Sequence, residues 1–235
     1  MNATADPLAG MSHTRARILR YIKAQGSVTR RELAAHLDIT REAARQHLQG
    51  LSREGWLADS GRRASTGQGR PARLFALTRA GDHLFPKHYD QISLEMFDTL
   101  AERFGEEGVR TLLASLTDKQ VAYWAPRLRG LSLSQRLEAL RGIYFEQDPY
   151  THIERDGDDY LLVERNCPFL NLAVQRPRLC SVTVSTLRRL LGVHVHREQR
   201  FQDGDRRCVF RVCTRIAVDA DYRFDFEEDD TPVHE

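Results

Sequence analysis

After Met11 the chain falls into short apolar stripes separated by polar faces at helical spacing. Ile18, Leu19, Tyr21 and Ile22 recur on one side of residues 12–24, and Gly26 stops the pattern. Thr29 and Glu32 form a T-x-x-E capping signature, which predicts a short helix to Leu37 with Leu33, Ala34 and Leu37 facing inward. Thr40 caps a third amphipathic stretch that ends at Gly55 and turns Ala44, Leu48 and Leu51 to the core. Its polar side carries Arg41, Glu42, Arg45, Gln46 and Gln49. Trp56 and Leu57 then read as extended, residues 60–70 are a loop rich in Gly, Ser and Arg, and residues 71–78 read as a returning strand. Two helices joined by a tight turn and followed by a two-stranded wing predict a winged helix-turn-helix over residues 11–80.

Residues 79–85 read as helical, and a long helical region begins at Pro86. There Leu94, Phe97, Leu100, Ala101 and Phe104 share one face, the pattern of a helix that packs against a partner chain. Further helices are predicted at 106–116, 118–129 and 134–146. Beyond them the period shortens. Asp156-Gly157 and the run Tyr160, Leu161, Leu162, Val163 predict a hairpin. Residues 185–191 form a helix stopped by Gly192, and two β-rich segments, 193–201 and 208–218, flank Asp203-Gly204-Asp205. The expected class is α+β: a winged helix-turn-helix (11–80), a helical connector and dimerisation region (81–148), an α+β sensor domain with cysteine ligands (149–218), and an acidic tail (219–235). The tail is expected to be mobile, because it offers little apolar surface to offset the entropy of ordering it.

Charge sharpens this division. The 235 residues carry a net charge of only +2, yet residues 11–80 hold fourteen Arg and Lys against five Asp and Glu, a local charge of +9. Residues 81–235 hold twenty-one against twenty-seven, giving −6. A basic module on an acidic body is the footprint of a domain that docks on phosphates while the rest stays off the polyanion. The expected partner is double-stranded DNA, with an inverted-repeat operator for a homodimer. In such a module the second helix of the motif enters the major groove. Arg41, Glu42, Arg45, Gln46 and Gln49 are therefore the candidate readers, since Arg suits the guanine edge and Gln the adenine edge. In the wing, Arg62, Arg63, Arg70 and Arg73 flank small flexible residues, so a thin loop can carry guanidinium groups to a minor groove. No apolar run reaches the length of a membrane span, and MNATADPLAG lacks the features of a signal peptide, so a cytoplasmic chain is expected. No Gly-rich nucleotide loop, nucleophile motif or H-E-x-x-H motif points to an enzyme.

Cys167, Cys180 and Cys208 stand in the pattern C-x12-C-x27-C, too widely spaced for a local zinc knuckle. Each falls at an element edge. Pro168 breaks the strand after Cys167, Cys180 precedes a helix whose N-terminal amides would stabilise a thiolate, and Cys208 follows a turn. Cys213 lies five positions beyond Cys208 on the same strand, hence on the opposite face, and is the weaker candidate. Thiolates serve iron–sulfur clusters and zinc alike, so ligand type leaves both open. His194 and His196 share a strand face and are candidates for a fourth ligand.

The order of these features is specific. Gly69-Arg70-Pro71 and Phe75-Ala76-Leu77-Thr78 in the wing, a helical connector, Asn166-Cys167-Pro168-Phe169, Cys180, and Gly204-Asp205-Arg206-Arg207-Cys208 together resemble the SufR family of iron–sulfur-cluster-responsive winged-helix transcriptional regulators, over residues 12–215. The resemblance implies a homodimeric repressor in which a 2Fe–2S or 4Fe–4S cluster on Cys167, Cys180 and Cys208 controls DNA affinity at genes for cluster assembly or oxidative defence. Some relatives carry another cysteine between the second and the last, where this chain has Val193 and His194. A winged-helix regulator sensing zinc, thiol redox state or a small effector is the alternative.

Overall fold

The computed structural model describes residues 8, 10–64, 71–145 and 148–227. The chain divides into two compact units, Met1–His88 and Tyr89–Glu235.

In the first unit three helices, α1 (His13–Gln25), α2 (Arg30–Leu37) and α3 (Arg41–Arg53), pack with a small antiparallel sheet of order β1-β3-β2. The strands are β1 (Ser27–Thr29), β2 (Leu57–Arg63) and β3 (Ala72–Leu77), and a short helix α4 (Arg79–His83) follows. The capping box is formed as the sequence requires: the Thr29 hydroxyl accepts from the Glu32 amide, and the Glu32 carboxylate accepts from the Thr29 amide at 2.8 Å. Asp38 takes the left-handed conformation that ends α2, and the Thr40 hydroxyl accepts from the Ala43 amide at 3.1 Å to start α3. Ile18, Leu19, Ile22, Leu33, Leu48 and Leu51 fill the core. Burying each such side chain contributes roughly 1.5–3 kcal/mol.

Two details differ from expectation. Residues 27–29 form strand β1, pairing Val28 with Phe75; three residues are too few for alternation to reveal them. The wing is less loop-like than its composition implied, because Arg62 pairs with Arg73 and Arg63 with Ala72 on regular strands. A register shift between Asp59 and Gly61 bends β2, and Gly61 adopts φ 120°, where a side chain would be strained. Gly69 and Arg70 lie outside the described residues.

The second unit holds a long helix α5 (Tyr89–Trp124), helix α6 (Leu133–Phe145), an antiparallel sheet of order β4-β5-β7-β6, and helices α7 (Leu170–Gln175) and α8 (Ser181–Leu191). Its strands are β4 (His152–Asp156), β5 (Asp159–Glu164), β6 (Val193–Gln199) and β7 (Cys208–Ala217). The break expected near Leu116 is absent: Thr117 is buried, its hydroxyl bonds back to the Leu113 carbonyl at 3.0 Å, and the helix runs on to Trp124. The actual irregularity is at Gly105, at φ 62° and ψ −162°.

The connector is not a separate layer. Leu137 and Leu140 of α6 share a core with Leu162, Leu187, Val195, Phe210 and Val212, and Val109 and Leu113 of α5 pack with Val182 of α8. Nor do residues 219–227 form a mobile tail. Phe224 is buried in that second cluster, Tyr222 bonds Ser185 at 3.0 Å, and Phe226 lies between the guanidinium groups of Arg110 and Arg178 at 4.7 and 4.8 Å. Three aromatic side chains among the acids supply the surface that composition alone obscured.

Candidate nucleic-acid interface and thiol pocket

On the first unit, α2, the start of α3 and the wing strands enclose a groove of about 1000 Å³. Arg30, Arg31, Arg41, Arg45, Arg53, Arg62, Arg63 and Arg73 line it, against the single acid Glu32. Such a concentration of positive charge in a concave surface raises the local potential for a polyanion. Arg41, Gln46, Gln49 and Arg62 are exposed. Arg45 is already held on its own helix: its Nε donates to both Glu42 oxygens at 3.0 and 2.9 Å, and Nη1 donates to Gln49 Oε1 at 2.9 Å. Glu42 thereby has its carboxyl lowered from the usual range by Arg45. Its place is to orient Arg45, and a direct base contact would require that ladder to open. Arg63 pairs with Glu32 and Arg73 with Asp59, fixing the root of the wing against α2 and against β2.

On the second unit the sheet register sorts the sulfur groups. Directly opposed residues in antiparallel strands share a face. Cys208 pairs with Glu164, Phe210 with both Leu162 and Arg197, so Cys208, Glu164, Phe210 and Arg197 face the same side. Cys213 pairs with His194, and Arg211 with His196, on the other side. There Cys213 Sγ lies 3.7 Å from His196 Nδ1. The two imidazoles expected as a fourth ligand therefore stand on the face away from Cys208.

Cys167 and Cys180 come to the Cys208 side. Cys167 precedes α7, and Cys180 closes a 3-10 turn (Pro177–Cys180) before α8. Asp148 fixes the approach to Cys167: its Oδ2 accepts from the amides of Arg165 at 2.6 Å and Asn166 at 3.0 Å and from the Thr151 hydroxyl at 3.0 Å. Burial alone would raise the Asp148 carboxyl, but the amides of Tyr150, Arg165 and Asn166 outweigh it and lower it. Gln202 donates to Cys180 Sγ at 2.8 Å, and Arg197 donates to the Cys180 carbonyl at 3.1 Å.

Burial raises all three thiols, Cys208 to about 11. At Cys180 this outweighs the helix N-terminus that the sequence suggested would favour thiolate. Arg197 opposes the rise at each sulfur, and the sulfurs interact with one another, Cys167 with Cys180 and Cys208 with Cys167. The Arg197 side chain is 3% exposed and pairs with Glu227 at 3.0 Å. Burial opposes its charge; Glu227, then Cys180 and Cys208, outweigh that and keep it protonated. Glu164 is 8% exposed, Oε1 has no hydrogen-bond partner among the described residues, and burial raises its carboxyl to about 7 against the pull of Arg197. Among the described residues no three His, Cys, Asp or Glu side chains are grouped to hold a single metal ion.

Asp148, Glu164, Arg197, Gln202 and Glu227 carried no sequence signal as pocket residues. Only an arginine or a glutamate amid strand-forming residues, at Arg197 and Glu164, hinted at them.

Residues 9–70 match the sequence profile of the MarR family. No curated protein matches the chain. Among solved structures it is similar to a MarR family transcriptional regulator from Silicibacter pomeroyi, at 28% identity over 40% of this chain and 58% of that one, TM-score 0.25. It is also similar to a mutant of MarR from E. coli complexed with operator DNA, at 20% identity over 44% and 71%, TM-score 0.28. A mutant of Lactococcus lactis ZitR aligns at 21% over 51% and 82%, TM-score 0.30. The chain thus spans 58% of the length of the Silicibacter protein, and each of these likenesses covers about half of this chain or less. No helix of the described residues is long and apolar enough to cross a membrane. The observed helices and wing agree with that profile: the first unit folds as a winged helix, and residues 9–70 within it are similar to the MarR family of transcriptional regulators.

Proposed function

We propose that the chain is a homodimeric DNA-binding transcriptional repressor whose operator affinity is set by an iron–sulfur cluster on Cys167, Cys180 and Cys208. The observation that supports this reading is that Cys167, Cys180 and Cys208, separated by twelve and twenty-seven residues, all lie near the Arg197 guanidinium, on the side of the sheet that Cys208 faces. The wide spacing lacks the two close ligand pairs usual in a structural zinc site, whereas a cluster takes its thiolates singly on separate irons. When bound, the cluster supplies an iron- and redox-dependent link between α7, α8 and β7. Arg197 offsets the thiolate charge, Gln202 holds the Cys180 sulfur, and Asp148 sets the chain before Cys167.

DNA is held by the arginine groove, with Arg41 and Gln46 toward base edges and Arg62, Arg63 and Arg73 toward the backbone. Of the α5 face expected to meet a partner, Phe97, Leu100 and Ala101 pack within this chain against Val109, Leu113 and Phe224, so exposed Tyr89, Ile92, Met96 and Phe104 are assigned to the second copy. The test is anaerobic purification of wild type and of Cys→Ser variants at 167, 180, 208 and 213. Iron and sulfide should be present in wild type and C213S and lost in the other three, and operator affinity should change on removal of the cluster. A colourless wild type, or unchanged affinity after cluster removal, sinks the reading.

A further inference from the structure

Three thiols leave one iron of a four-iron cluster without a protein ligand, and the imidazoles first in line for it are on the wrong face of the sheet. The pocket holds another donor. Glu164 lies directly across from Cys208 in the β5–β7 register and shares its face. Its negative charge opposes ionisation of both the Cys167 and the Cys208 thiol, as a like charge nearby does. Its neighbours on β5 are Leu162 and Val163, both buried, so an apolar side chain at 164 would continue the strand's core pattern. A carboxylate there loses its hydration, yet Oε1 is met by no donor among the described residues. The Arg197 guanidinium draws on this carboxylate electrostatically, but among the described residues it gives Oε1 no hydrogen bond, and its ion pair, at 3.0 Å, is with Glu227. A buried polar atom left without a partner on the ligand side of a pocket is where an ion belongs.

We propose that the Glu164 carboxylate is the fourth protein ligand of the cluster, binding through oxygen the iron that no cysteine reaches. The proposal rests on the cluster reading above. Oxygen ligation at one corner gives a site-differentiated cluster: three irons on soft thiolates and one on a hard, exchangeable donor. That iron is then the first to leave on oxidation or iron shortage, and Glu164 makes the cluster a sensor rather than a structural staple.

Wild type, Glu164→Gln, Glu164→Cys and Glu227→Gln are reconstituted anaerobically with ferrous iron and sulfide. Iron content, the electron paramagnetic resonance spectrum after reduction, and the rate of iron loss to a chelator are read for each. Glu164→Gln keeps the shape of the side chain and removes a costly buried acid, so the chain folds. Its cluster should lose iron about tenfold faster or more and convert to a three-iron form. Glu164→Cys should hold iron at least as long as wild type, with a shifted spectrum. Glu164→Gln with the spectrum and iron loss of wild type overturns the assignment alone. Loss confined to Glu227→Gln overturns it in favour of the C-terminal segment. A wild type that binds no cluster overturns both readings.

Discussion

Arginine is used in opposite ways by the two units. In the first, eight guanidinium groups line an open groove, several of them exposed, facing water. In the second, one guanidinium, Arg197, is 3% exposed and is met from within by Glu227, the Cys180 carbonyl and the sulfurs. An exposed charge costs the fold little and waits for a polyanion; a buried one must be balanced inside the protein or not be there at all. Mutations at the two settings should therefore fail differently, stability in one and binding in the other.

The largest effect is expected from Arg197→Leu. It takes from the buried Glu227 the nearer of two guanidinium partners, Arg200 remaining at 3.6 Å, and should cost up to about 3–5 kcal/mol in the second unit, read by calorimetry of the full chain. Adding Glu227→Gln should recover much of that loss. A neutral single variant would erase the contrast between the two arginine settings.

Asp148→Asn comes next. Whichever way the amide turns, its nitrogen meets a donor, the Tyr150 amide at Oδ1 or the Arg165 and Asn166 amides at Oδ2, so about 1–3 kcal/mol should be lost. The carboxyl is lowered in the folded state from its ordinary 3.8. Its contribution is therefore present above that value and fades as pH falls through the lower folded one. Urea unfolding at falling pH should show this loss in wild type, and its absence from the variant is the check.

For the open groove, Arg41→Ala should weaken operator binding by about 1 kcal/mol or more and, if it contacts phosphate, reduce the salt slope by about one, without moving the melting temperature. Titrations at several salt concentrations decide this, and a fall in stability with unchanged binding would contradict it. The smallest stability effect is expected at Arg63→Ala, whose half-exposed pair with Glu32 contributes about 0–1 kcal/mol.

The first unit was largely legible because its signals are local. A capping box, a Thr cap and an i, i+3, i+4 stripe act within four residues, and the structure repeats them at Thr29, Thr40 and Leu48. What was missed there, strand β1 and the regular pairing of Arg62 and Arg73, depends on β3 arriving from far along the chain. In the second unit the three cysteines could be singled out, but their company could not. Asp148, Glu164 and Arg197 reach the pocket by pairings and hydrogen bonds that span many residues, and no spacing rule announces them.

By itself, then, the sequence determined the helices, the caps, the charge division and the odd spacing that puts Cys213 opposite Cys208, all properties of neighbouring residues or of strand parity. The tertiary structure alone decided that His194 and His196 stand apart from the three thiols while Glu164 and Arg197 stand among them. Strand order and register choose which side chains share a face, and they are set by the packing of whole elements, beyond the reach of any local pattern.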